Sequence, residues 1–469
     1  MDLNRITTLT KSPREPSLLQ ALICIVGIFL TIALGLLLVG ISIHILVFLC
    51  IIWVSIHAAY LNYSYIDIQR MMSDSIHHAL PAIYIFILMG MVIASFMYSG
   101  TIASLIYYGL SLLTPSIFLP VGLILCCLMS IVTGTSWGTV GTIGVVLIGI
   151  ADAIHIPIFL AAGMIVSGAT FGDKLSPLSD TTNLAAMTAG VGLYQHIYAM
   201  VYTTLPSFIL ALGLFSVIGL QFAESAIPIE QISEIQIALA SLFHLDLWIT
   251  LLPLICMLVL SLLRFSPAIC MTCSIVIAVI ISILYQDKLI VEVLNALWLN
   301  TPANTGIENI DALLGRGGIY NMAWTLILSI MALALGGVLY QAKFLTVLIN
   351  SFINKIRRFS TLVATTITAG FVSNLGMGEA YISIILNCQL FKALYTKLDL
   401  HHAILSRSVE EGTTVTAPLI PWTTAGAFYA ATLSVAVLDY APYAFFNLLN
   451  PIVSVLMAIF GIGLLRGQR

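Results

Sequence analysis

Apolar runs of about 20 residues recur along most of the chain, and each is long enough to cross a bilayer as an α-helix. The sequence of 469 residues is 60% hydrophobic and only 8% charged, whereas a soluble protein carries roughly 25% charged residues. So little charge cannot coat a water-facing surface, which predicts an all-α polytopic membrane protein. The candidate spans are 18–37, 40–62, 79–98, 117–133, 136–153, 157–171, 196–222, 247–264, 267–285, 318–340, 360–375, 379–395, 403–418 and 443–465.

An acidic segment divides these spans into two sets of seven. Residues 223–246 contain four acids and no Lys or Arg, so the positive-inside rule places them on the non-cytoplasmic side. We therefore expect a cytoplasmic N-terminal tail (1–17), a first membrane repeat (18–222), an acidic non-cytoplasmic linker (223–246) and a second membrane repeat (247–469). Both termini are predicted to be cytoplasmic. Residues 18–40 are predicted to be the first span, because a signal peptide has an apolar region of only about 7–15 residues.

An odd number of crossings in each set gives the two halves opposite orientations. The sequence therefore predicts two inverted-topology repeats with broken helices or re-entrant segments, in total about 12–14 transmembrane helices or half-helices. Short motifs support this prediction. Residues 177–182 and 418–423 share Pro, Leu and Thr at one offset, and 134–138 and 374–378 share their last glycine at nearly the same offset.

Residues 167–183 place acids and hydroxyls inside apolar sequence, where ionisable groups are expensive and mark ion or substrate paths. Asp173 and Asp180 flank Pro177, which is incompatible with a regular helix. A break there frees backbone carbonyls that can join carboxylates and hydroxyls around Na⁺. Lys174 is interpreted either as a counter-charge or as a loop charge. Asp180 is thus the safer site residue, with Asp173 placed nearer the cytoplasmic mouth.

Two further polar segments precede and follow this one. Residues 133–144 combine glycines with hydroxyls, which fits either cation binding or close helix packing. Residues 372–380 place Glu379 between apolar runs, either at a broken helix or in a water-facing loop.

In the last polar segment, Glu410 and Glu411 are adjacent, so one is expected to line the path and the other to pair with Arg407. Each ionisable residue at a helix centre costs roughly 2.5–3.5 kcal/mol on insertion scales. A cost of that size favours a function for these acids.

Other classes of function lack their motifs. The eight cysteines fall in apolar segments and predict no disulfides, and residues 270–273 have C-x-x-C spacing without a second ligand pair. The chain contains no phosphate-binding loop of the P-loop type, which argues against ATP-driven transport. Most of the nine histidines are predicted to lie near the membrane interfaces. No nucleophile–base or metal set supports an enzyme, so none is predicted.

Three blocks resemble the NhaC-type Na⁺/H⁺ antiporter family of the ion transporter superfamily: residues 134–142, 167–185 and 416–422. The family pattern looks like Gly-Asp-x-x-Ser-Pro-x-Ser-Asp-Thr-Thr, followed later by an acidic pair before Gly-Thr-Val-Thr-Ser-Pro. The later block here has an extra Thr and has Ala417 in place of Ser. Some relatives look like sodium-coupled exchangers of small organic acids.

The motifs and the resemblance together predict a secondary Na⁺/H⁺ antiporter of the plasma membrane, with Asp173 and Asp180 as ligands of transported Na⁺. A coupled exchanger of a small organic acid or amino acid is the alternative, and a channel is a further one. We expect no cofactor and no nucleic-acid partner. The expected partners are the lipid bilayer, Na⁺ and H⁺, and the formation of a homodimer is left open. The candidate ion-binding residues are Asp173, Asp180, Ser176, Ser179, Thr181, Thr182, Asn183, Ser136, Thr139, Ser373, Asn374, Glu379, Glu410, Glu411, Thr416 and Thr423.

Overall fold

In the computed structural model, the chain is a bundle of α-helices packed around two large hydrophobic cores and a small one. The structure describes residues 12–112, 114–222, 229–263, 265–301, 315, 317–353, 356, 358–463 and 465. Most of the predicted N-terminal tail and the first part of the acidic linker lie outside the described residues.

The helices of the first half are α1 (Leu18–Leu34), α2 (Ile43–Tyr60), α3 (Tyr65–His78), α4 (Leu80–Tyr98), α5 (Thr101–Leu112), α6 (Pro115–Thr133), α7 (Ser136–Thr139), α8 (Val145–Ala153), α9 (Ile158–Leu175), α10 (Asp180–Ala189) and α11 (Leu193–Leu220). Those that follow are α12 (Ile229–Leu242), α13 (Leu247–Thr250), α14 (Leu252–Leu262), α15 (Pro267–Leu284), α16 (Ile290–Trp298), α17 (Ile319–Gln341), α18 (Phe344–Ile353), α19 (Phe359–Met377), α20 (Ala380–Lys397), α21 (His402–Gly412), α22 (Thr424–Leu433), α23 (Val437–Tyr440) and α24 (Phe445–Ile459).

Within the described residues, seven helices are long and apolar enough to cross a membrane, or up to nine if each of two bent pairs is one span. The bent pairs are α3 with α4, at 46°, and the segment Val437–Tyr443 with α24, at 55°. One of the seven, Ser136–Ala153, joins α7 to α8 through a π-helical turn. The prediction of an all-α polytopic membrane protein is confirmed.

The sequence missed several helices that are too short or too polar to read as spans. These are α3, α5, α10, α12, α16, α18 and α22. Helix α12 lies inside the predicted linker, so that segment is not simply a loop. Two predicted spans are also interrupted, because 247–264 divides into α13 and α14, and 403–418 stops as an α-helix at Gly412.

Glycines let α6 and α9 pack closely. Gly168 and Gly172 lie one turn apart on α9, and a methyl group on either would collide with a backbone carbonyl of α6, that of Leu123 or that of Cys127. This close crossing brings the C-terminal end of α9 beside the chain that leaves α6. The polar segments 133–144 and 167–183 therefore meet in the interior.

Candidate ion-binding site

Two tight glycine turns place polar groups at breaks in the helical bundle. Helix α6 ends at Gly134 and α19 ends at Gly378, with φ angles of 69° and 66° that favour glycine. In each case the next residue, Thr135 or Glu379, caps the following helix by accepting a hydrogen bond from a backbone N–H. The predicted break beside Glu379 is confirmed, and the alternative of a water-facing side chain is wrong, because Glu379 is only 5% exposed.

Two further breaks lie opposite these turns. Helix α9 ends at Leu175, and α10 begins at Asp180 after Ser179 caps it, so the break predicted at Pro177 is confirmed. In the second half, α21 ends at Gly412, and α22 begins only after Thr423 caps it. Each break takes backbone N–H and C=O groups out of the regular helical hydrogen-bonding pattern, close to side-chain oxygens.

The landmarks of the two halves correspond in order and spacing. The two glycine turns, the two capping residues and the two left-handed helix ends are separated by the same number of residues in each half. This spacing differs from the register that the sequence suggested, in which Gly378 matched Gly138, because α6 ends at the first glycine of its motif, Gly134. The equivalent pairs are Gly134 and Gly378, Ser179 and Thr423, and Gly190 and Ser434.

A cavity of about 1150 Å³ lies where these four breaks meet. Asp173, Asp180 and Glu379 all line it, so the structure brings together the acids of two predicted segments. We call these three the cavity acids. Ser136 and Thr181 also line the cavity, as predicted.

Each cavity acid accepts a hydrogen bond from a side chain of another helix. Asp173 lies 3.0 Å from the ammonium of Lys174, and Ser136 donates a hydrogen bond of 3.5 Å to it. The hydroxyl of Thr424 donates to Glu379 over 2.8 Å. Asp180 accepts a hydrogen bond from the phenol of Tyr381.

The two aspartates of the cavity differ in burial, and the difference does not follow the order that the sequence suggested. Asp173 is 6% exposed, whereas Asp180 lies at the exposed start of α10. Asp173 is therefore the more deeply buried of the two aspartates, because α9 carries it into the interior before the chain breaks at Pro177. Lys174 is likewise not a loop charge, since it lies in the last turn of α9 with 1% exposure.

An ion cluster formed by Lys174, His196 and Glu410 lies behind the cavity. Glu410 accepts a hydrogen bond of 2.8 Å from Lys174, and its other oxygen is 2.7 Å from Nε2 of His196. The hydroxyl of Thr182 also donates to Glu410, over 3.1 Å. Lys174 thus bridges a cavity acid and a carboxylate that does not line the cavity.

Glu411 belongs to a separate buried set. The hydroxyls of Thr203 and Ser454 each donate to it over 2.5 Å, and Nε of Arg407 is 3.9 Å away. The predicted pairing of one of the two glutamates with Arg407 is confirmed. Neither Glu410 nor Glu411 lines the cavity in this structure.

The charges around the cavity do not balance. The cavity acids and the two glutamates carry five negative charges when ionised, whereas the basic side chains that contact them are Lys174, Arg407 and, when it is protonated, His196. An excess of carboxylates at membrane depth requires cations or protons to offset it. Among the described residues, no three His, Cys, Asp or Glu side chains are close enough to hold a metal ion. A sodium ion there would need hydroxyl and carbonyl oxygens as well.

The remaining predicted residues do not line the cavity and mainly stabilise the breaks. Asn183 donates to the carbonyls of Pro177 and Ser179, and Asn374 donates to that of Thr413 over 2.6 Å. Hydroxyl bonds to backbone carbonyls occupy Thr139, Ser176, Thr416 and Thr423, while Ser373 accepts a hydrogen bond from Asn387.

The sequence missed His196, Tyr381 and Thr424. His196 was expected near an interface, but it is fully buried, because α11 packs against α21 and brings its ring to Glu410. Thr424 comes directly after the capping residue Thr423, as Asp180 comes directly after the capping residue Ser179. This correspondence is visible only once Ser179 is aligned with Thr423. Nothing in the sequence pairs Tyr381 with Asp180.

Comparison with known proteins confirms the resemblance. The model of the Na⁺/H⁺ antiporter family matches residues 168–462, which include all three cavity acids. The chain belongs to the Na⁺/H⁺ antiporter family. It is 39% identical over 414 residues to the Na⁺/H⁺ antiporter NhaC of Alkalihalophilus pseudofirmus, covering 87% of this chain and 88% of that one.

Two further relatives of this chain are named for different cargo. The malate-2H⁺/Na⁺-lactate antiporter of Bacillus subtilis is 34% identical over 383 residues, or 82% of each chain. The arginine/ornithine antiporter ArcD of Halobacterium salinarum is 32% identical over 452 residues, or 96% of this chain and 93% of that one.

Proposed function

We propose that the protein is a secondary antiporter that exchanges Na⁺ for H⁺ across the plasma membrane. The observation that carries this proposal is the cavity in which Asp173, Asp180 and Glu379 converge with too few counter-charges. Membership of the Na⁺/H⁺ antiporter family supports it.

Exchange follows from the chemistry of the cavity acids. A carboxylate that holds a proton is neutral and has lost its attraction for a sodium ion, whereas one that binds sodium is ionised. The hydroxyls of Ser136, Thr181 and Thr424 supply oxygens beside the acids. Because protons and sodium ions compete for the same oxygens, a site that has released one ion returns across the membrane with the other bound.

The matching turns, caps and helix ends of the two halves support two inverted-topology repeats that move against each other. Breaks near the midplane of such repeats form transporter sites with alternating access. The positive-inside rule, applied to the basic segments, supports an arrangement with both termini in the cytoplasm. The ions are cargo, and no cofactor is needed. The exposed apolar faces of the outer helices contact lipid or a second copy in a homodimer.

Exchange of a small organic acid or amino acid is the second candidate. The observation in its favour is the size of the cavity, about 1150 Å³, which far exceeds a sodium ion. Two relatives are also named for organic cargo.

The deciding experiment compares the two candidates in proteoliposomes. We expect an imposed sodium gradient to move protons against their own gradient, with lithium and potassium tested beside sodium. Labelled malate, lactate and amino acids are tested for counterflow in the same vesicles. Counterflow of an organic acid without sodium-driven proton movement would favour the second candidate, and dissipative ion flux alone would indicate a channel.

A further inference from the structure

The wall of the cavity extends well beyond the three acids that the proposed function uses. Asp74 and Ser75, on α3, also line it. The oxygen Oγ of Ser75 is buried and has no hydrogen-bond partner among the described residues. Asp74 is exposed, and its only polar contact from a described side chain is a long one of 3.5 Å from Gln341. This end of the cavity therefore has unused hydrogen-bonding capacity.

The two acidic ends face different sides of α17. Gly336 packs against Met377, two residues before Glu379, while the next residue, Gly337, packs against Ser75, and the side chain of Gln341 contacts Asp74. Successive residues of an α-helix point about 100° apart, because one turn takes 3.6 residues. A short-chain organic molecule that follows the cavity wall can contact both ends, whereas a single sodium ion at the cavity acids does not reach α3.

The charge of the cavity wall determines whether a cationic or an anionic ligand is favoured. Of the described residues that line the cavity, four are Asp or Glu, one is His78 and none is Lys or Arg. The buried ammonium of Lys174 is not part of this wall, because it contacts Asp173 and Glu410. A carboxylate ligand would meet only like charges, which disfavours it.

Aromatic and apolar side chains fill the space between the acids. The aromatic residues that line the cavity include Tyr84, Trp137, Tyr340, Tyr381 and Tyr429. Aromatic faces attract ammonium and guanidinium groups, and the apolar wall accommodates a short alkyl chain.

We propose that this cavity binds small organic ammonium or guanidinium cations in competition with Na⁺, and that Asp74 and Ser75 recognise a second positive group at the far end of the ligand. This inference rests on the proposed function, because the first positive group occupies the sodium site at the cavity acids. It also gives the large cavity an occupant of opposite charge to malate or lactate.

The test measures displacement of radioactive sodium from the purified protein at constant ionic strength. The probes are butylamine, the diamine putrescine and butyrate, which have chains of equal carbon number. We expect both amines to displace sodium and butyrate not to do so. Putrescine should bind about fivefold more tightly than butylamine, since one added charge pair near the surface contributes up to about 1 kcal/mol.

Asp74→Asn is expected to bring the affinities of the two amines together, whereas Asp439→Asn, at an exposed acid away from the cavity, should keep the wild-type ratio. Sodium binding that neither amine displaces, or that butyrate displaces equally well, would overturn the inference while leaving the proposed function standing. Absence of sodium binding to the wild-type protein would overturn the proposed function and the inference with it.

Discussion

Asp173→Asn is expected to reduce sodium-driven proton movement in proteoliposomes to the level of protein-free vesicles. The amide has the size of the carboxylate and can still accept a hydrogen bond from Ser136, but it has no charge to attract sodium and no proton to exchange. Asp173 is the more buried of the two aspartates, so we expect a larger loss than in Asp180→Asn.

The matched control is Asp439→Asn, which makes the same chemical change at an exposed position outside the cavity. It should retain wild-type exchange. A monodisperse Asp173→Asn protein that exchanges as fast as the wild type would remove Asp173 from the ion-binding site.

Lys174→Met is expected to destabilise the protein by about 3–5 kcal/mol, the usual effect of removing one partner of a buried ion pair. The methionine fills similar space but leaves Asp173 and Glu410 without their shared counter-charge. The measurement is thermal unfolding of the purified protein in detergent. The double variant Lys174→Met/Glu410→Gln should recover part of the loss, because one of the two unpaired carboxylates is then gone.

Lys397→Met provides the control, because it removes an exposed lysine at the end of α20. Its effect should stay within about 0.5 kcal/mol, as for most surface substitutions. Equal unfolding temperatures for Lys174→Met and Lys397→Met would contradict the ion cluster behind the cavity.

The sequence predicts the parts of the site that depend on local chemistry. A proline in apolar sequence predicted the break between α9 and α10, and glycines beside polar residues predicted the turn before Glu379. Hydropathy also predicted the membrane class, because charge is so scarce.

What the sequence could not supply depends on packing between distant helices. The depth of Asp173 follows from the glycine-mediated crossing of α6 and α9, and the contact of His196 with Glu410 requires α11 to lie against α21. Short helices such as α10 and α22 carry too few apolar residues to be recognised as spans, although their caps place Asp180 and Thr424 at the cavity. Local pattern thus identifies most of the acids, and only tertiary structure shows which of them share a cavity.

Proton release on sodium binding tests the central claim most directly. Sodium chloride is added to purified protein in weakly buffered detergent solution, and the released protons are followed with a pH dye. Competition at the cavity acids predicts that sodium releases protons from the wild-type protein, that apparent sodium affinity falls as the pH is lowered, and that the release is lost in Asp173→Asn. Sodium binding without proton release, and with an affinity independent of pH, would contradict the account.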